Sequence, residues 1–222
     1  MNQIIQSLTP KEVIAHYNKK FVVTFLQNNG FEFKEKNLEY HRRTKDFKQV
    51  IWHRCDKNNI SGVYIGFAMG SSILCPRFKS WYKKQYGKEP LGGESIIGYK
   101  RLHFRDKWND KYNGHAGVFG YDLANKDIDD QFAVILENLK NVILPSLDFY
   151  RDLTTVIDNP NLSLQGGEFD LQSNLRQIEH CLFLKDFEKA RKLADSLKSD
   201  SSMPKSYFAY RDSELIRIFK TK

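Results

Sequence analysis

The chain has little of what compact catalytic and metal-binding motifs require. Only three of its 222 residues are cysteine. Cys55, Cys75 and Cys181 are widely spaced and odd in number, so no Cys-x-x-Cys pair exists to hold zinc and no disulfide framework is expected. That usage fits a reducing compartment, and a cytoplasmic location is expected. No run reaches about 18 consecutive apolar residues, so neither a membrane span nor a membrane partner is expected. The first residues, Met1-Asn2-Gln3-Ile4-Ile5-Gln6, lack a basic stretch followed by an apolar one and do not read as a secretory signal. Glycines are scattered. Gly66, Gly70, Gly92, Gly93 and Gly98 precede no Lys-Ser or Lys-Thr pair and lack the strand–turn–helix setting of a dinucleotide fingerprint. Nucleotide hydrolysis is therefore not expected, and no cofactor is assigned.

What the chain does have is charge, and it is unevenly placed. The net charge is +8. Between Pro76 and Tyr112 ten basic residues face four acidic ones, interleaved with eight aromatic rings. From Asp122 to Arg176 the balance reverses, with ten acidic residues and four basic. Polarised charge selects partners by sign, here an acidic protein or a nucleic acid, without specifying a reaction. The candidate binding residues are Arg77, Trp81, Lys83, Lys84, Tyr86, Arg101, His103, Arg105, Trp108 and His115.

Local signals organise the rest. Thr9-Pro10-Lys11-Glu12 is a capping box with proline in the first helical position, and Val13, Ile14, Tyr17, Phe21 and Phe25 follow at helical spacing. Asn28-Asn29-Gly30 stops that helix. Phe31–Lys34, Leu38–Arg43, Phe47–Cys55 and Ser61–Ile73 read as strands. In the last, Val63, Ile65, Phe67 and Met69 alternate with Tyr64, Gly66, Ala68 and Gly70, so one face is large and the other is suited to close packing. Phe78–Tyr86 reads as a short helix, and Ser95–Arg105 and His115–Tyr121 as two further strands. A long apolar stripe from Ile128 to Ile143 predicts a covering helix that Pro145 ends or kinks. Asn159–Gly167 reads as a linker. Beyond it, two amphipathic helices and a last one over Tyr207–Phe219 form a helical tail. The pair resembles one tetratricopeptide unit, and a single copy predicts no array.

The expected architecture is α+β: an antiparallel sheet of five to six strands covered by helices over 1–158, then a helical appendage over 168–222. No catalytic or metal-binding residues are assigned. The spacing places His41 opposite Gln49, too far from His53 to share a metal. His103 and His115 face each other if their strands fold back about Asn109, with Arg101 on the same face. Glu32-Phe33-Lys34 has the form of a nuclease metal site but lacks a preceding aspartate. Asp127, Asp129 and Asp130 sit where a helix begins and favour its dipole. Cys75 reads as a buried thiol.

The run Asn29-Gly30-Phe31-Glu32-Phe33-Lys34, then Tyr40-His41-Arg42-Arg43, Val50-Ile51-Trp52-His53 and Val63-Tyr64-Ile65-Gly66-Phe67, closed by the Ile128 helix, resembles a bacterial family, domain of unknown function 4304, over about residues 10–157. The resemblance implies an α+β fold and brings no catalytic residues. By analogy with immunity-like proteins of this build it implies a non-enzymatic protein-binding role, with a toxin or an acidic protein as partner. A nucleic-acid-binding accessory role through residues 76–112 is the alternative.

Overall fold

A computed structural model describes residues 3–90, 96–101, 121–149, 152–158, 171–201 and 204–220. It shows an α+β protein in two compact units. The first comprises residues 1–44, 48–73 and 100–149, and the second residues 45–47, 74–99 and 150–222.

In the first unit a short helix α1 (Gln3–Ser7) precedes α2 (Pro10–Phe21) and α3 (Val23–Asn28). The capping box forms as expected: Glu12 N–H donates to the Thr9 hydroxyl, and the Glu12 carboxylate accepts from Thr9 N–H at 2.9 Å. The Thr9 hydroxyl, which donates to the Glu12 carboxylate at 2.6 Å, and then the Thr9 N–H hold that carboxyl below its usual range. Thr9→Ala is expected to cost about 1 kcal/mol in a urea melt, since one helix-end donor loses its partner. Unchanged stability would place the helix start elsewhere. Gly30, at φ 80°, closes α3 in the left-handed conformation that glycine adopts without strain.

The strands are β1 (Glu32–Lys34), β2 (Glu39–Arg43), β3 (Lys48–Cys55), β4 (Gly66–Leu74), β5 (Ile96–Arg101) and β6 (Tyr121–Asp122). They make one sheet in the order β1-β2-β3-β4-β5, with β6 also paired to β4. The β1–β2, β2–β3 and β4–β6 pairs are antiparallel. The β2–β3 turn takes four residues, because Arg43 pairs with Lys48. His41 therefore faces Val50, and Arg42 faces Gln49, one residue away from the expected register. The loop is longer than a three-residue turn, and register follows loop length.

Strand β4 begins at Gly66, later than the alternation suggested. Ile60 and Tyr64 form an isolated bridge, Gly62 turns the chain at φ 74°, and Val63 is exposed. From Ile65 the large face is as expected, with Ile65, Phe67 and Met69 fully buried. The small face is covered by the sheet's own side chains. The Trp52 ring lies where a Cβ on Gly70 would be, and the Tyr64 ring does the same at Gly66. Trp52 Nε1–H donates to Ser72 Oγ at 3.1 Å and Tyr64 O–H to Asp56 at 3.0 Å, which fixes both rings.

Helix α5 (Ile128–Asn138) is capped by Asp127, whose carboxylate accepts from Asp130 N–H. A π-helical turn, Leu139–Ile143, then leads into α6 (Leu144–Phe149). Pro145 sits just past that turn. Its ring crowds the carbonyl four residues back, and the wider turn, with Leu144 N–H bonded to Leu139 O, lets the helix continue. Phe132 stacks on Phe21 with centroids 4.9 Å apart, joining α5 to α2. Asn18, fully buried, accepts from Tyr40 O–H at 3.1 Å and ties α2 to the sheet. Arg42 donates to Gln49, to the Asn29 carbonyl and to Asp148, joining β2 to β3, α3 and α6.

His53 lies inside this core. Its Nδ1–H donates to the Leu38 carbonyl at 2.8 Å, its ring sits against Tyr40 and Phe67, and Nε2 has no hydrogen-bond partner. Burial pushes its pKa down to about 4. The unfolded chain therefore takes up the proton first. Stability that is complete above about pH 6.5 is expected to fall as pH drops towards 4, by up to about 1.4 kcal/mol per pH unit. Urea midpoints at pH 7 and pH 5 for wild type and His53→Phe check this. An unchanged pH dependence in the variant would mean that His53 titrates alike in the folded and the unfolded chain.

The described residues of the second unit are mainly helical: α4 (Pro76–Tyr86), α7 (Leu153–Asp158), α8 (Leu171–Phe183), α9 (Phe187–Ser199) and α10 (Phe208–Lys220), with a 3-10 turn at Lys205–Tyr207. Helix α4 was expected to belong with the sheet over 1–158, yet it groups with the C-terminal helices, so the division does not fall at 158 alone. The expected linker Asn159–Gly167 lies outside the described residues.

Candidate protein-binding groove on the helical unit

Helix α4 carries the first half of the basic aromatic segment, and its geometry decides what that segment presents. Phe78 and Tyr82 are buried. Trp81 packs against Phe78, Tyr86 and Phe183, with centroids 5.5, 5.9 and 5.5 Å away. Tyr86 packs on Tyr82 at 4.6 Å, and its hydroxyl is buried without a hydrogen-bond partner. Burial pushes that phenol above its ordinary range. Trp81 and Tyr86 are thus half-buried, with part of each ring taken up by neighbours. The cations are partly matched too. Arg77 pairs with Asp46 at 3.2 Å, and Glu89 sits 3.3 Å from Lys79 and 3.9 Å from Lys83. Lys84 is exposed. The side chain of Arg101, and all of His103, Arg105, Trp108 and His115, lie outside the described residues, as does the expected facing of His103 and His115.

The back of α4 meets α8 through a buried polar cluster that sequence reasoning did not anticipate. Glu179 is 3% exposed. Its carboxylate accepts from Arg217 of α10 at 2.9 Å and lies 3.6 Å from Arg176. Tyr82 also hydrogen-bonds it. Burial pushes the Glu179 carboxyl up, and the two guanidiniums oppose that rise. Arg217 is held again by Glu214 at 2.7 Å, and its guanidinium lies over the Tyr86 ring. Arg176 lies over Phe78 and Tyr82. His180 is buried beside Phe78 with centroids 4.6 Å apart, and burial pushes its pKa down to about 3. The cluster ties α4, α8 and α10 together through the ion pairs of Glu179 with Arg176 and Arg217 and the hydrogen bond from Tyr82.

Helices α9 and α10 form an open groove of about 800 Å³. Ala194 and Leu215, nearly buried, make its floor. Ile216 and Phe219 line it and are 52% and 41% exposed. Phe187, 60% exposed, sits one helical turn before Arg191 on the same face of α9. Arg211 closes the bottom. It donates to the Lys198 carbonyl at 3.1 Å and to Asp212 at 2.8 Å, so its charge serves the C-terminus of α9. The signal for this face was present in the sequence. Ile216 and Phe219 lie off the Leu215–Ile218 stripe that α10 buries, so the helix has two apolar faces and the fold uses only one.

Other candidates resolve simply. Glu32 and Lys34 pair with each other, and His41 Nε2 is 2.7 Å from Glu39. Cys75 and Cys181 are buried, and burial pushes both thiols up, Cys181 to about 11. Among the described residues no group of three His, Cys, Asp or Glu side chains is placed to hold a metal, and no helix is long and apolar enough to cross a membrane. No family model, no curated protein and no solved structure matches this chain.

Proposed function

We propose that this protein is a non-enzymatic binding module that holds a helical segment of another protein in the α9–α10 groove. The observation that carries the reading is the pair of exposed apolar side chains, Ile216 and Phe219, beside a floor of Ala194 and Leu215. An apolar groove between two helices is the usual seat for an amphipathic helix, and its affinity comes from a few central apolar anchors. The state of α4 favours this over nucleic acid: Phe78 and Tyr82 are buried, Trp81 and Tyr86 are half-buried against them, and three of its cations already face carboxylates.

Selection from a displayed library of helical peptides tests the reading. Amphipathic sequences are expected to enrich, and to bind Ile216→Asp at least about ten-fold more weakly, as for loss of a central anchor. No enrichment, or equal affinity for the variant, would overturn it. Random oligonucleotides provide the opposing arm. Micromolar binding that persists from about 50 to 200 mM salt and weakens when Lys83 and Lys84 become Ala would assign the function to α4 instead.

A further inference from the structure

The rim of the groove has a charge pattern, and it specifies the partner helix further. This inference rests on the protein-binding reading above. Arg191, Asp195 and Lys198 line the α9 side at helical spacing, all exposed. Arg191 and Lys198 form no ion pair with another described side chain. They are seven residues apart, which is about 10.5 Å along a helix. The facing α10 rim supplies Asp212, whose carboxylate is already held by Arg211. The rim charges without an ion pair to another described side chain are therefore Arg191, Lys198 and the Asp195 between them, and their balance is positive.

We infer that the groove's occupant is an acidic amphipathic helix that lays an apolar stripe over Ala194, Leu215 and Ile216 and sets two carboxylates, seven residues apart, against Arg191 and Lys198. A helix lying along α9 repeats its side chains with the same rise, so carboxylates at that spacing meet both cations at once. Rim charges of this kind set orientation and exclude wrong partners more than they add affinity. A helix with lysines at those two positions places like charges together and is rejected. The same pattern disfavours a second copy of this chain. The groove-facing surface of α9 would bring its own Arg191 and Lys198 against those of the other copy.

The test uses the full chain and two designed peptides of about 18 residues, long enough to span α9. Both carry the same leucine stripe. One has Glu and the other Lys at two positions seven apart. Fluorescence anisotropy at low salt, about 50 mM, keeps exposed charges unscreened over the contact distance. The Glu peptide is expected to bind about ten-fold more tightly than the Lys peptide, and R191E/K198E is expected to reverse that order. Both replaced residues are exposed, so the variant keeps its fold, which circular dichroism verifies. Equal affinities that both fall with Ile216→Asp would overturn the charge assignment and leave the groove reading standing. Binding of neither peptide, or binding indifferent to Ile216→Asp, would overturn the groove itself. Sedimentation that shows self-association abolished by Ile216→Asp would make the occupant a second copy and overturn the acidic helix.

Discussion

Ending the chain at Asp158 is expected to unfold α4 and to leave a fragment that binds hydrophobic dyes and self-associates. Phe78 is fully buried, and the rings at its edge, His180 and Phe183, both belong to α8. Trp81 packs on Phe183 as well, and Arg176 of α8 lies over Phe78 and Tyr82. Without α8 those aromatic faces meet water. Loss of a buried aromatic contact typically costs about 3–5 kcal/mol. An isolated helix of 11 residues has no comparable stability of its own. The near-UV circular dichroism of Trp81, assigned by difference with Trp81→Phe, is expected in the full chain and absent from the 1–158 fragment. A monomeric fragment that keeps the signal would show that α4 holds its place by other contacts, and that 1–158 is a folding unit after all.

This outcome differs from what composition alone suggested, and the reason is physical. Signals that act within a few residues were readable. Thr9, Pro10 and Glu12 cap a helix through bonds spanning three residues, and Asp127 does the same for α5. The α+β class and the buried face of β4 follow from alternation and turn residues in the same way. What a residue meets across the fold was not readable. The small face of β4 is legible from Gly66 and Gly70, but that Trp52 and Tyr64 cover it depends on which strands become neighbours. Val63 fits an alternating pattern, yet it lies in a turn, because alternation continues unbroken across the Ile60–Tyr64 bridge. Most of all, the count of charges between Pro76 and Tyr112 says nothing about their partners. Glu89 lies within the segment and Asp46 lies 31 residues before Arg77. The groove was missed because it is shared by two helices. Each helix, taken singly, shows a buried stripe and a few apolar residues beside it.

The buried carboxylate of Glu179 is expected to matter more than any exposed charge in the protein. It is the group towards which Arg176, Arg217 and Tyr82 converge, and the first two bring positive charge into a site 3% exposed at Glu179. Taking it out of water costs free energy, which is why burial raises its pKa, and the two guanidiniums offset that cost. Removing it reverses the account. Glu179→Ala leaves two cations facing each other and is expected to destabilise the helical unit by about 3–5 kcal/mol, the range for breaking a buried pair from one side. Glu179→Gln keeps the shape and the hydrogen bond but not the charge, and is expected to cost less. A double variant, E179L with R217M, removes charge from both partners and is expected to recover part of the loss, because two apolar side chains need no compensation. The effect reaches the groove through α10, since Arg217 fixes one face of that helix and Ile216 and Phe219 stand on the other side of it. Urea melts followed by helical circular dichroism measure the stability of each variant. If Glu179→Ala costs less than about 1 kcal/mol, as an exposed pair would, the carboxylate is not the tie that holds α10 to α8.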